Sequence, residues 1–253
     1  MTTDERESIE GPSSDARLNR YRVFDEVNAP YLRWQLEQVE PVLGSRLLEV
    51  GCGVGGILSQ LTPREFVMGI DIEEEEVEFA RRRFAAKTGF DFALMDISAL
   101  SHDDRAALKS HRFDTVLCIN VLEHIKDDAG AVGAMADVLV PGGVLAILVP
   151  AHPGLYGHYD AMDGHFRRYT MSGLREVLDR SGLVVERLYR FNLVGAAGWW
   201  VQYRLLRRKI HQQGHFKVLQ AILPALKAVE SRVQPPFGLS LVAAARKPKK
   251  QND

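Results

Sequence analysis

Between His152 and Tyr169 the chain crowds histidines, tyrosines, aspartates and two arginines into one stretch. His165, two residues after Asp163, is the first candidate for a general base, because an imidazole titrates near neutral pH. Arg167 and Arg168 are candidates to hold a carboxylate or phosphate on an acceptor, and Tyr156 is a candidate pocket wall. A second histidine, His124 in NVLEHI, is either a base or a hydrogen-bonding wall. His152 and His158 have neither a cysteine nor a helical histidine partner, so no metal site is expected. Glu73 to Glu76 read as the first turn of a helix, where acids complement the dipole, rather than as metal ligands.

These groups need a frame. SRLLEVG, FVMGID, FDFALMDIS, FDTVLCIN and GGVLAILVPA read as strands, followed by LVVERLYR and LSLVAAAR. Helical stretches fall between them: GGILSQL opens one, and EEEEVEFARRRFAAK, AGAVGAMADVLV and MSGLREVLDRSG are others. Strands alternating with helices at this spacing imply βαβ units and a mostly parallel sheet. TVLCI and VLAILV are continuously apolar, as expected when helices cover both faces. FDFALMDIS is followed by a segment that reads as merely polar. Residues 18–40 read as mostly helical with a break at Pro30. Thr170 reads as a helix N-cap. The His152–Tyr169 stretch therefore hangs from the carboxyl end of the fifth strand, where loops carry function.

The same edge holds a glycine turn, LLEVGCGVGG. Gly51, Gly53 and Gly55 let the backbone adopt φ > 0 and approach a ligand closely. Gly51, Gly53 and Gly56 also fit G-x-G-x-x-G, so a dinucleotide is one reading. Glu49 argues against it, because a carboxylate two residues before the turn would repel a pyrophosphate and suit a cationic, amino-acid-like ligand. Asp71 ends the second strand, 20 residues after Gly51, where a carboxylate can accept ribose hydroxyls of either ligand. Asp96 ends the third strand and INVLEHI the fourth, so acids line the crevice at the carboxyl edge.

LLEVGCGVGG, GIDIE, FALMDIS, FDTVLCINVLEHI and LVPGGVLAILVP resemble, in order and spacing, the motifs of class I S-adenosylmethionine-dependent methyltransferases, over roughly residues 40–190. The resemblance implies a Rossmann-like, doubly wound, mostly parallel seven-stranded sheet whose last strand is antiparallel. It implies S-adenosyl-L-methionine as cofactor. Glu49, Gly51, Cys52, Gly53 and Gly55 would face its amino-acid part. Asp71 would hold the ribose, with Ile72 packed on adenine. Asp96 would accept from the adenine amino group beside Ile97. Asn120, Val121 and Leu122 would line the methionine side. Tyr21, Tyr31 and Trp34 in the N-terminal helices are candidate walls of the acceptor pocket.

VPAHPGLYGHYDAMDGHFRRYT and PFGLSLVAAAR narrow the resemblance to a bacterial subgroup of the methyltransferase-11 or type-12 kind, carrying a GHxRRYT segment. That subgroup implies a small-molecule acceptor, or one linked to glycan or lipid. The implied reaction is an in-line methyl displacement. A nicotinamide-dependent oxidoreductase and a catalytically silent cofactor-binding subunit are the alternatives.

Residues 1–17 read as a disordered acidic tail, 18–246 as one domain, and 247–253 as a basic tail. The insertion 192–237 is basic and contains Trp199 and Trp200. One reading is a lid that touches anionic membrane or a lipid-linked acceptor. The other is a helical cover or a dimer surface. Net charge is −1, and there is no recognised nucleic-acid module, so no nucleic-acid partner is expected. The acidic N-terminus lacks the apolar core of a signal peptide, and Cys52 and Cys118 form no CxxC pair. A cytoplasmic setting is the expectation.

Overall fold

The computed structural model describes residues 28–193, 195–196, 223–224, 226–228, 230 and 236–249. Tyr21, both tails and most of the 192–237 insertion, including Trp199 and Trp200, lie outside the described residues. Seven strands form one sheet: β1 (Arg46–Val50), β2 (Phe66–Asp71), β3 (Phe90–Leu94), β4 (Thr115–Ile119), β5 (Val144–Pro150), β6 (Val184–Phe191) and β7 (Ser240–Arg246). The order is β3-β2-β1-β4-β5-β7-β6, and only β7 runs antiparallel to its neighbours. This is the expected doubly wound sheet. Residues 28–39 are helical (α1). Then come α2 (Glu74–Phe84), α3 (His102–Ser110), α4 (Asp128–Val138), α5 (His158–Met162) and α6 (Met171–Arg180).

Period-2 alternation sends successive strand residues to opposite faces. Leu48, Val50, Val116 and Cys118 pack with α4 and α6 residues such as Met135 and Leu178. Leu47, Val67, Leu117 and Ala146 pack with Trp34 and Leu36 of α1 and with Val77 and Phe84 of α2. Every residue of β4 and β5 is buried, which is why both read as unbroken apolar runs.

Two expectations change. The stretch after the glycine turn is a run of turns and a 3-10 turn at Leu58–Gln60, not an α-helix. Four glycines precede it and Pro63 follows, so too few residues remain to nucleate one. The polar segment after β3 contains α3, started by a capping box in which Ser101 and Asp104 satisfy each other's backbone N–H. Pro30 lies in the first described turn of α1, and the residues before 28, on which the expected break depends, lie outside the described residues. The acids Glu74, Glu75 and Glu76 do occupy the first turn of α2, and Thr170 caps α6 by accepting from the Gly173 N–H.

The two ends of the insertion meet. β7 lies between β5 and β6, with Ser240 opposite both Pro150 and Phe191. The Leu239 N–H donates to the Asn192 carbonyl at 3.0 Å, and the Ala151 N–H to the Leu239 carbonyl at 2.8 Å. Glu230 accepts from the Asn192 and Leu193 N–H groups, and Lys227 pairs with Glu37 of α1. No helix among the described residues is long and apolar enough to cross a membrane.

Candidate active site

At the carboxyl edge β1 stops because Gly51 turns the backbone to φ +70°. A Cβ at Gly51 would run into the Val121 side chain, so the position is closed to other residues on two counts. Gly53 and Gly55 are also left-handed. The turn folds back on β2: the Gly51 and Cys52 N–H groups donate to the Ile70 carbonyl. Asp71 completes the tie, its Oδ2 accepting from the Gly53 N–H at 2.7 Å. Its Oδ1 accepts from the N–H groups of Ile72 and Glu73. A carboxylate offers about four acceptor sites, so Asp71 positions the turn and keeps capacity for one further donor.

The neighbouring candidates divide by burial. Ile72 is 65% exposed beside Asp71, whereas Ile97 is buried. Asp96 is exposed, and Oδ1 holds the backbone and side chain of Ser98. Asn120 is exposed in a left-handed conformation that asparagine tolerates well. Glu49 and Cys52 are buried, Cys52 lying against Gly69, so Cys52 offers a ligand its backbone rather than its thiol. Leu122 is wholly inside the core, because the 3-10 turn Leu122–His124 points it toward α4; it lines no ligand surface. Trp34 is core as well, edge-on to Phe191 at 4.4 Å. Tyr31 reaches the edge, where its hydroxyl accepts from the Asn192 amide.

The stretch after β5 is wired to itself. Asp160, fully buried, accepts from His165 Nδ1 at 3.0 Å, from Arg168 Nε at 2.8 Å and from the Gly157 N–H at 2.8 Å. Arg168 is buried and also donates to the Ala151 carbonyl; Arg167 is paired with Asp128 and the Lys126 carbonyl. Both arginines are thus paired within the fold. The Tyr156 hydroxyl, at the mouth, donates to the His165 carbonyl. Phe166 N–H donates to the Glu123 carbonyl, which fastens the segment beneath β4.

His165 has a carboxylate on each ring nitrogen, with Asp163 3.2 Å from Nε2. Burial pulls its pKa down, but the bonds to Asp160 and Asp163 outweigh it and raise it to about 9. Both of its ring nitrogens are thus engaged by carboxylates. His124 lies edge-on to it, ring centroids 4.6 Å apart; burial and the His165 charge lower its pKa. Burial lifts Glu123 to about 7. His152, at φ 61°, stacks on Phe237 at 3.7 Å, and its Nε2 is buried without a hydrogen-bond partner. The ligating atoms of Glu123, His124 and His165 all lie within 4.8 Å of one another, and neither His152 nor His158 belongs to that group. Glu123 and Asp160 are the residues that the sequence reading passed over. Their signals were the LEH triplet and an aspartate five residues before His165.

Residues 48–145 match the family described as "Methyltransferase domain". The ubiquinone biosynthesis O-methyltransferase of Thiobacillus denitrificans is 34% identical over 128 residues, 49% of this chain and 52% of that protein. The chain thus spans about half the length of the curated relatives it matches. A Haloferax volcanii putative methyltransferase, solved with the Trm112 activator, superposes with TM-score 0.60 at 17% identity, covering 94% of this chain and 97% of that one. Haemonchus contortus phosphoethanolamine N-methyltransferase 2, solved with S-adenosyl-L-methionine, gives TM-score 0.57 at 17% identity over 95% and 61%. At these identities the two structures speak for the fold alone. Residues 48–145 thus match a methyltransferase domain, and the seven strands take the Rossmann-like order of the solved methyltransferase folds.

Proposed function

We propose that this chain moves a methyl group from S-adenosyl-L-methionine to a small-molecule, glycan- or lipid-type acceptor. The observation that carries the reading is the Gly51–Gly55 turn, held open by Asp71 at the carboxyl edge of the sheet. The half-buried left-handed glycines Gly51 and Gly53 and the buried Glu49 suit the amino-acid part of the cofactor. The spare acceptor capacity of Asp71 suits one ribose hydroxyl. Adenine would cover Ile72, an otherwise exposed isoleucine, beside Ile97, with its amino group on Asp96. Asn120 and Val121 border the sulfonium side.

The reaction needs little from the protein beyond placement. An acceptor lone pair forms a bond to the methyl carbon as the carbon–sulfur bond breaks, and that pair stays on sulfur. Aligning the two reactants supplies about 7–11 kcal/mol of the barrier. The curated relatives carry O-methyltransferase names, which favours an oxygen acceptor. Tyr31 and Tyr156 border the acceptor side, where Asn192 and Leu239 meet.

Calorimetric titration with S-adenosylhomocysteine, and with NAD in parallel, tests the reading. Micromolar binding of S-adenosylhomocysteine alone is expected. Binding of NAD alone overturns it and makes the turn a dinucleotide site.

A further inference from the structure

We propose that His152 and Arg190 form a subsite for one oxyanion, a carboxylate or phosphate carried by the acceptor, beside the junction of Asn192 and Leu239. Arg190 of β6 stands in register with Leu241 of β7, and Leu241 with Val149 of β5. The ladder runs on past the strand ends, where the Ala151 N–H donates to the Leu239 carbonyl and the Leu239 N–H to the Asn192 carbonyl. His152 follows Ala151, Arg190 lies two residues before Asn192, and Phe237 lies two before Leu239. One corner of the sheet thus gathers an imidazole, a guanidinium and a phenyl ring.

The fold leaves both polar groups unused. Arg190 Nε is buried and meets no acceptor, and His152 Nε2 is buried and meets no partner. A buried polar atom left unpaired is costly, and a bound oxygen removes the cost. Glu37, Glu186 and Glu230 line one cavity with Arg190, and each is engaged elsewhere. Glu37 pairs with Lys227, Glu186 with Arg246, and Glu230 accepts from the Asn192 and Leu193 N–H groups. Among the described residues Arg190 therefore has no ion pair, whereas Arg167 and Arg168 are paired with Asp128 and Asp160.

Backbone strain is an independent sign. His152, at φ 61° and ψ 94°, lies off the left-handed well that its residue type can enter. Such a conformation persists only where the surroundings fix it, and it clusters at binding sites. Here the His152 N–H donates to the Tyr169 carbonyl, and its own carbonyl accepts from the Leu155 N–H. Its ring stacks on Phe237, which is 39% exposed and forms the outer wall.

The local charge names the ligand. Burial, then the charge of Arg190, then that of Arg168 lower the His152 pKa. Charges that disfavour an imidazolium favour an anion in the same place. In its Nε2–H tautomer the neutral imidazole donates one bond, and the guanidinium fork donates two to paired oxygens. The Asn120 N–H donates to the Leu148 carbonyl, and four steps of chain from there to His152 span about 13 Å at full extension. An acceptor held here by its charged end thus offers its other end to the Asn120 side. That acceptor role rests on the methyltransferase reading; the oxyanion site itself does not.

The test uses the full chain and saturation-transfer nuclear magnetic resonance with phenyl phosphate, benzoate and, as neutral control, benzyl alcohol. At least one of the two anions should bind with Kd at or below about 1 mM, and benzyl alcohol should not. The tighter anion tells phosphate from carboxylate. Arg190→Gln and His152→Gln should each weaken that binding at least tenfold. Thermal melts by circular dichroism check that both variants fold, and Arg190, on the edge strand, keeps the test available should His152→Gln unfold. No anion binding by about 1 mM, equal binding of benzyl alcohol, or equal anion affinity in wild type and the folded variants overturns the proposal. S-adenosylhomocysteine binding is measured by calorimetry on the same samples. If it persists without anion binding, the subsite falls and the methyltransferase reading stands. Anion binding that the variants lose, without S-adenosylhomocysteine binding, does the reverse.

Discussion

The glycine turn at 51–55 and the segment from Tyr156 to Tyr169 share one edge of the sheet. In the turn, the Gly51 and Cys52 N–H groups hold the Ile70 carbonyl and the Gly53 N–H holds Asp71. The side chains of Cys52 and Val54 there are buried, and Gly51 and Gly53 are half-buried. In the later segment side chains do the holding: Asp160 gathers His165, Arg168 and the Gly157 N–H, while Arg167 takes Asp128. A backbone site is written in residue type, because only glycine takes left-handed φ beside Val121 without strain. A side-chain cluster is written in pairings, which depend on three-dimensional neighbours. Charge-rich sequence therefore marks a place, and the pairings decide which groups remain for a ligand.

Four substitutions break or sharpen this contrast. Asp160→Ala strands the buried Arg168 charge, so urea denaturation should show a loss of about 3–5 kcal/mol. A loss under about 1 kcal/mol would mean that the later segment is not held through Asp160. Gly51→Ala adds a left-handed alanine and a clash with Val121, about 3 kcal/mol together, and should abolish S-adenosylhomocysteine binding. Val121→Ala in the same chain should recover the clash and not the φ cost; full recovery would show the left-handed backbone to be dispensable. Asp71→Ala should weaken S-adenosylhomocysteine binding at least tenfold, about 1.4 kcal/mol, read by calorimetry. Unchanged affinity would sink the ribose assignment. Ser101→Ala, at the capping box of α3 and outside both regions, should cost about 1 kcal/mol and leave cofactor affinity alone. A change in affinity there would show that the turn answers to distant stability.

The sheet was legible because β4 and β5 are buried on both faces, and an unbroken apolar run can satisfy nothing else. α3 was harder to see. Leu108 is its one buried residue, so periodicity had little to show, although SHDD carried the capping pattern. The helix expected after the glycine turn followed the habit of dinucleotide folds and neglected Pro63. Among the candidate residues, the left-handed glycines of the turn were readable as motif, whereas the burial of Leu122 was not. In the later segment the residue types were readable and their pairings were not. His165 carries carboxylates on both ring nitrogens, and Arg168 is spent on Asp160. Trp34 reads as a pocket wall in sequence, but its place against Phe191 is set by a strand more than 150 residues away.

The junction at Asn192 and Leu239 makes the chain between them an exchangeable cassette. Chain leaves the sheet and re-enters it at adjacent points, clasped by one backbone hydrogen bond. Doubling the length between fixed ends costs only about 0.6 kcal/mol of closure entropy. A lineage can therefore lengthen, shorten or replace those residues while the sheet keeps its order. The glycine turn keeps its own ties, to the Ile70 carbonyl and to Asp71, on strands that do not neighbour the junction.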